Sequence, residues 1–264
     1  SSSLPANGRS IFSYTDLVTK KISCKVDAFI HLASLNSNLE KKDIDKEVEL
    51  TKAILNAMQG LDCPKLIFFS TAKIYGDNSF SNICFSESSV VNPACPYSEA
   101  KKICEDLIIL KSVELDLDST ILRLPPVLGQ ADASNLGKLI RLAKSGAYIP
   151  TFSCGNTNSR SFISFTNIKA VIRILLEAQH PSMHNIYNLA DDHHISLNSL
   201  LRIYGDQRII VLPTFVEKLI FKISFLQSIL LKLYGSFVIE NHKLKNDLGV
   251  KLCSSQQAAL QNKL

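Results

Sequence analysis

The segment Tyr97-Ser-Glu-Ala-Lys101 has more chemistry in it than any other in this chain. On a helix, a spacing of four residues puts both side chains on one face, one turn apart. A lysine ammonium beside a phenol stabilises the phenolate, so the pair predicts a lowered Tyr97 pKa and a side chain able to give or take a proton near neutrality. The same spacing also occurs as an ordinary surface pair, so the elements around it decide. Earlier in the chain, Thr71 follows the apolar run Leu66 to Ser70, within Ser70-Thr-Ala-Lys-Ile-Tyr-Gly76. In open α/β sheets, ligands and catalytic groups gather at the carboxyl ends of strands, where a hydroxyl can meet a helix-borne tyrosine over one substrate oxygen. Thr71 has a plainer reading as a strand-end hydroxyl capping backbone, with Ser70 as the competing candidate and Lys73 as a solvated neighbour.

Strand-length apolar runs alternate with longer helical patterns, the signature of βα units on a mostly parallel sheet. Asp27 to Ala33 reads as a strand, Ile44 to Met58 as a helix ending at Gly60, and Lys65 to Ser70 as a second, buried strand. Pro96 opens a helix that carries Ile103, Leu107 and Leu110 on one face, and Ser119 to Arg123 is a third strand. After Pro125 and Pro126 the texture changes. A helix from about Asn135 to Lys144 leads to a polar loop Thr151 to Ser159, a strand Phe162 to Phe165, a helix Thr166 to Glu177 and a strand Asn185 to Leu189. Pro213 then opens a single apolar helix reaching Tyr234.

With 264 residues, 46% of them hydrophobic and 20% charged, the chain can bury a sizeable core. Twenty-nine Lys and Arg against 24 Asp and Glu give a net charge of +5, scattered singly or in pairs, so no nucleic-acid partner is expected. Seven cysteines form no Cys-x-x-Cys and no Cys/His ligand spacing, so no metal site is expected and a reducing cytoplasm is. No run of 18 uncharged apolar residues occurs, and the first nine residues lack the apolar core of a signal peptide. The helix from Pro213 could lie on a membrane surface. Glu217 and its three lysines make a poor basic face, which favours packing inside the C-terminal lobe or against a second subunit of a homodimer over membrane binding.

Six segments in order carry a resemblance: Asp27 to Ala33, Ser70 to Gly76, Pro96 to Lys101, Ile121 to Gly129, Arg160 to Ile163 and Ile186 to Leu189. Together they resemble the extended short-chain dehydrogenase/reductase family, the NAD-dependent nucleotide-sugar epimerases, dehydratases and 4-ketoreductases. Asn135 to Asn167 and Leu233 to Glu240 are most similar to the branch that reduces UDP-4-keto-6-deoxy-N-acetylhexosamines or epimerises UDP-N-acetylhexosamines for surface polysaccharides. The resemblance implies a Rossmann-like, mostly parallel sheet over residues 1–130 and a smaller C-terminal α+β substrate lobe over 131–264, with segments near 160–190 returning to the cofactor domain. It implies NAD or NADP as cofactor, a UDP-sugar as substrate, and hydride transfer at sugar C4.

By the same resemblance Tyr97 exchanges the proton of the C4 oxygen. Lys101 lowers the tyrosine pKa and binds the nicotinamide ribose, and Thr71 hydrogen-bonds the reacting oxygen. Asp16 is similar to the aspartate that meets the adenine amino group, and His31, Ala33 and Ser70 flank the cofactor. Asn135 and Arg160 take the substrate diphosphate. Each has a plainer reading: an exposed carboxylate for Asp16, a packed core residue for His31, an N-cap for Asn135, a surface ion pair for Arg160. Arg123 is expected to anchor the domain junction, and His193 and His194 to be solvated.

The family opens with a strand and a Gly-x-x-Gly-x-x-Gly turn at a helix N-terminus that receives the pyrophosphate. The ten glycines here never take that spacing, so the sequence reads as N-terminally truncated, lacking its first βα unit. Glu47 stands where the family usually carries an asparagine lining the cofactor site. Both departures leave a second reading open, a truncated or degenerate relative acting as a non-catalytic binding or scaffold protein.

Overall fold

The computed structural model describes residues 26–32, 39–60, 63–81, 83–128, 135–177, 184–205 and 208–261. Among them the chain begins with β1 (Phe29–His31), α1 (Ile44–Gly60), β2 (Lys65–Thr71), β3 (Cys84–Phe85), α2 (Pro96–Leu115), β4 (Asp118–Leu124) and β5 (Val127–Leu128). It continues with α3 (Asn135–Lys144), β6 (Ile149–Thr151), the single turn α4 (Cys154–Thr157), β7 (Ile163–Ser164), α5 (Phe165–Glu177) and β8 (His184–Asn188). The last elements are α6 (Leu197–Gly205), β9 (Ile209–Val211), α7 (Thr214–Ile220), α8 (Ser224–Tyr234), β10 (Val238–Ile239), α9 (His242–Leu248) and α10 (Ser255–Gln261). Two compact units interleave along the chain. One takes Ser1–Ile74, Pro93–Leu122 and Gln179–Ile186, and the other takes Tyr75–Asn92, Arg123–Ala178 and Tyr187–Leu264.

The first unit is built on a four-stranded sheet of order β1-β2-β4-β8, whose last residues in β4 and β8 belong to the second unit. β1 runs parallel to β2, with Phe29, Ile30 and His31 opposite Leu66, Ile67 and Phe68. β2 is almost wholly buried, which is why it reads as an unbroken apolar run rather than an alternating one. α1 and α2 pack on each other, and α2 packs on β2. Leu55 and Met58 from α1, Ile108 from α2, and Leu66, Phe68 and Ile121 from the sheet share one core.

α1 buries Glu47, Thr51, Leu55 and Met58, a stripe at helical spacing whose first two members are polar. α2 starts at Pro96, whose fixed φ suits the first helical position, while the Cys95 amide donates to Ser98 Oγ at 3.2 Å. It stops at Asp116, which adopts the left-handed conformation (φ 50°), and asparate tolerates that better than most residues. Of the apolar face Ile103, Leu107 and Leu110, only Leu107 packs against the core. Ser98, Ala100, Lys101, Cys104, Glu105, Ile108 and Ser112 are buried, whereas Ile103 and Leu110 are exposed. Small and polar residues face inward because α1 lies close and brings polar partners of its own.

The second unit has a separate core, in which Phe152, Phe162, Leu197, Leu200, Leu201, Leu230 and Tyr234 take part. β3 pairs with β10, β5 with β7 and β6 with β9, each in parallel. The predicted polar loop Thr151 to Ser159 contains the end of β6 and the turn α4. The single helix expected from Pro213 to Tyr234 is two, α7 and α8, separated at Phe221 to Ile223. The break has a packing cause. Apolar residues on opposite faces of one straight helix cannot all reach one core, and the turn lets Phe221 meet Phe152 edge-on at 5.6 Å while Leu230 and Tyr234 stay buried. Glu217 lies on this apolar segment because its carboxylate accepts the Ser153 amide at 2.9 Å and the Ser153 hydroxyl at 2.5 Å. No helix among the described residues is long and apolar enough to cross a membrane, and the six described cysteines are all free.

Candidate active site

Thr71, Tyr97 and Lys101 all belong to the first unit. Thr71 is the last residue of β2, and its Oγ1 accepts the Lys73 amide at 3.2 Å, which fixes the hydroxyl at the strand's carboxyl end. Neighbouring Ser70 points elsewhere, donating to Glu105 Oε1 at 2.5 Å, since successive strand residues face opposite sides. Of the two competing hydroxyls, Ser70 is therefore engaged with α2. Tyr97 sits half-buried in the first turn of α2, and Lys101 follows one turn later at 2% exposure.

The surroundings of Lys101 differ from those its spacing suggests. Its ammonium lies 3.1 Å from Glu47 Oε1, with the Glu47 side chain 1% exposed, and 4.7 Å above the ring of Phe68. Such a pair survives burial because each charge compensates the other and the aromatic face adds attraction. Tyr97 accordingly departs from the expectation of a lowered pKa. Burial, reinforced by the Glu47 carboxylate and by Cys95, pushes its phenol up to about 12.

His31 joins the same cluster from the end of β1. Its Nε2 lies 3.3 Å from Thr51 Oγ1, and its ring centroid is 5.1 Å from that of Phe68. Thr51 also donates toward the Glu47 carbonyl at 3.2 Å, and Cys104 Sγ is 3.2 Å from its hydroxyl. Burial, with Lys101 helping and Glu47 opposing, lowers the His31 pKa to about 4, so the imidazole is neutral at physiological pH. The packed-core reading of His31 matches this environment. Its Nδ1, however, is buried without a hydrogen-bond partner among the described residues.

That orphaned nitrogen bears on a dinucleotide. A buried polar atom with no partner among the described residues, at the carboxyl end of a parallel strand and near the Tyr97–Lys101 turn, fits the nicotinamide end of a cofactor. The pyrophosphate end would require a glycine-rich turn, and this sequence contains none of the family spacing. Asp16 and Ala33 lie outside the described residues.

The predicted substrate contacts are in the second unit. Asn135 opens α3. Arg160 is buried, and its Nη1 donates to the carbonyls of Lys232 and Leu233 at 2.9 and 2.8 Å, closing the C-terminal turn of α8. Desolvation lowers its pKa to about 10, which still leaves it charged. It is a buried helix cap rather than half of a surface ion pair. Arg123 donates to the Tyr75 hydroxyl at 2.9 Å, and that hydroxyl donates to Asn188 Oδ1 at 2.8 Å. His193 and His194 are exposed, as expected of a turn.

Sequence reasoning noted Glu47 only as a departure and missed its partnership with Lys101, along with the roles of Thr51, Cys104 and Glu105. A signal was present: Glu47 and Thr51 head the stripe of α1 that continues through Leu55 and Met58, and a carboxylate on a core-facing stripe needs a cation.

A parallel sheet with helices packed on it, and a Tyr-x-x-x-Lys turn opposite a strand-end threonine, define a nucleotide-binding α/β architecture of the Rossmann kind. The chain belongs to the NAD dependent epimerase/dehydratase family, whose model matches residues 12–190. It is 26% identical over 188 residues to a dTDP-D-glucose 4,6-dehydratase of Dictyostelium discoideum, covering 65% of this chain and 43% of that protein. It is 30% identical over 148 residues to UDP-arabinose 4-epimerase 1 of Arabidopsis thaliana, covering 52% of this chain and 35% of the relative. The chain thus matches less than half the length of these relatives. Among solved structures, UDP-N-acetylglucosamine 4-epimerase from Bacillus cereus superposes with a TM-score of 0.73 at 16% identity, covering 95% of this chain and 82% of that one. UDP-glucuronic acid 4-epimerase from Bacillus cereus in complex with NAD gives 0.69 at 19% identity, covering 94% and 74%. These structural likenesses establish the fold.

Proposed function

We propose that this chain carries the proton-transfer machinery of a nucleotide-sugar 4-epimerase or 4-ketoreductase, with Tyr97 as acid or base at the sugar C4 oxygen. The observation that carries this reading is the placement of Tyr97 and Lys101 on successive turns of α2, packed on the strand that ends in Thr71. NAD or NADP, when bound, supplies or takes up the hydride. Thr71 holds the reacting oxygen, and Tyr97 gives that oxygen a proton as the C4 carbon receives hydride, or removes the proton in the reverse sense. Lys101 anchors the turn on which Tyr97 stands. His31, Ser70, Asp16 and Ala33 belong to the cofactor side of this reading, and Asn135 and Arg160 to the UDP-sugar side. Arg160 could serve there through its remaining donors while Nη1 closes α8.

The named relatives and neighbours act on dTDP- and UDP-sugars, and this supports a nucleotide sugar as substrate class. Synthesis of surface-polysaccharide precursors in the cytoplasm, by a homodimer, is the setting the resemblance implies. The test is to mix the protein with NADH and a UDP-4-keto-6-deoxy-N-acetylhexosamine, and separately with UDP-N-acetylhexosamines, and to follow cofactor absorbance and sugar configuration. Stoichiometric NADH loss identifies a reductase, and interconversion without net loss identifies an epimerase. If neither occurs and Tyr97→Phe behaves as the parent does, the proposal is wrong.

The buried Glu47–Lys101 pair favours one alternative, a truncated or degenerate family member without dinucleotide binding that acts as a non-catalytic binding or scaffold protein, because a lysine committed to a carboxylate has less to give a ribose. Titration with NADH followed by fluorescence decides this: micromolar binding dismisses the scaffold reading.

A further inference from the structure

Glu47 does more than fill a core position. It comes from α1, reaches Lys101 on α2, and the two side chains are buried together over Phe68 of β2. Among the described residues, the other titratable groups that feel this pair are His31 from β1, Cys104 from α2 and Tyr97 itself, with Glu105 beside Cys104 and Cys95 beside Tyr97. None of these is a second cation. Glu105 is engaged by Ser70, and Cys104 meets the Thr51 hydroxyl. An ammonium and a carboxylate 3.1 Å apart act on a third group as a dipole, whose reach is much shorter than that of a lone charge.

We propose that Glu47 is a positioning residue that locks Lys101 in a closed ion pair, so that Tyr97 faces a neutralised lysine and works as a neutral proton donor. This rests on the reading of Tyr97 as the acid or base. It deepens that reading by assigning a direction. When a C4 carbonyl is reduced, the hydride adds to carbon, the C=O π pair moves to oxygen, and the phenol O–H bond breaks to protonate it; the neutral phenol is the competent form. Oxidation of a C4 alcohol needs the phenolate at the outset. A site that keeps Tyr97 protonated is therefore set for reduction at neutral pH and for oxidation only at higher pH. The upward displacement of the Tyr97 phenol by burial and Glu47 agrees with this.

The experiment is a tyrosinate absorbance titration of the whole chain, read as the difference between the parent and Tyr97→Phe. No cofactor or substrate is needed. The parent is expected to show no Tyr97 tyrosinate until above pH ~10, the value of an unperturbed phenol. Glu47→Gln is expected to lower the midpoint by about one unit or more, the scale on which an unopposed charge nearby acts, while Glu47→Asp stays near the parent. Glu47→Gln leaves a bare buried ammonium, so the double variant Glu47→Gln/Lys101→Met, which removes both charges, keeps the question open to measurement if the single variant does not fold. Its midpoint is expected to lie between those of Glu47→Gln and the parent, because the carboxylate's upward push is gone but no unopposed ammonium takes its place. A folded Glu47→Gln protein with an unmoved midpoint overturns the proposal. So does a double variant whose midpoint rises by about a unit, as it would if Lys101 had been acting on Tyr97 unopposed. Absence of hydride transfer to any nucleotide sugar would instead remove the catalytic reading and leave these midpoints where they are.

Discussion

At the scale of single residues, the cluster around Lys101 couples stability to pH. His31 titrates near 4 in the folded chain and near 6.5 when unfolded. Between those values the unfolded state binds the extra proton, so stability is complete above pH ~6.5 and falls as pH drops toward ~4. The shift corresponds to about 3 kcal/mol. Urea unfolding across that window should show the loss, and His31→Gln, which keeps a polar group toward Thr51, should flatten it relative to the parent. An identical pH profile in both proteins would contradict the assignment. The ion pair makes a second prediction. Lys101→Met strands a buried carboxylate and should cost about 3–5 kcal/mol, while Lys101→Met/Glu47→Gln should recover much of that. Denaturation midpoints of the two variants, measured side by side, check the order.

At the scale of elements, α2 carries apolar residues on both its buried and its exposed face. Leu110 is 58% exposed and Ile108 fully buried. Leu110→Lys should therefore change stability by no more than about 0.5 kcal/mol, and Ile108→Ala should cost about 2–5 kcal/mol. The reverse ranking in thermal melts would mean that Leu110 is covered in solution. Arg160 belongs to this scale too. Removing its guanidinium leaves the Lys232 and Leu233 carbonyls without their donor, and Arg160→Met should destabilise by about 1–3 kcal/mol even where no sugar nucleotide is present. A loss of substrate affinity with unchanged stability would instead identify Arg160 as a binding residue alone.

At the scale of the whole molecule, two units with separate cores interleave along the chain, and the Tyr97–Lys101 cluster belongs to one of them. A ligand that binds only the folded chain raises its stability by RT ln(1 + [L]/Kd), about 2.7 kcal/mol at a hundredfold excess over Kd. NAD at millimolar concentration should then raise the melting temperature of the parent. Tyr97→Phe should retain that rise, because the substitution deletes an acid without removing ring or helix. No shift in either protein would favour the non-catalytic reading.

The order of the longer strands and helices through residue 177, the carboxyl-end position of Thr71 and the one-turn spacing of Tyr97 and Lys101 on one helix were legible in the sequence, whereas the short strands β3, β5 and β6 and the turn α4 were not. Each depends on short-range regularities: strand-length apolar runs, a proline at a helix start, a spacing of four. The rest needed the third dimension. A pattern of apolar residues does not say which side of α2 meets α1, that the segment after Pro213 must break to bury Phe221 and Leu230 in one core, or that Arg160 ends at the carbonyls of a helix 72 residues on. Above all, Glu47 and Lys101 are 54 residues apart (47 to 101), and only the packing of α1 on α2 makes them one ion pair. The sequence by itself determined which ionisable groups share one helix face. The tertiary structure decided which charge stands beside them, because Coulomb interactions depend on distance through space and on burial, and neither is written along the chain.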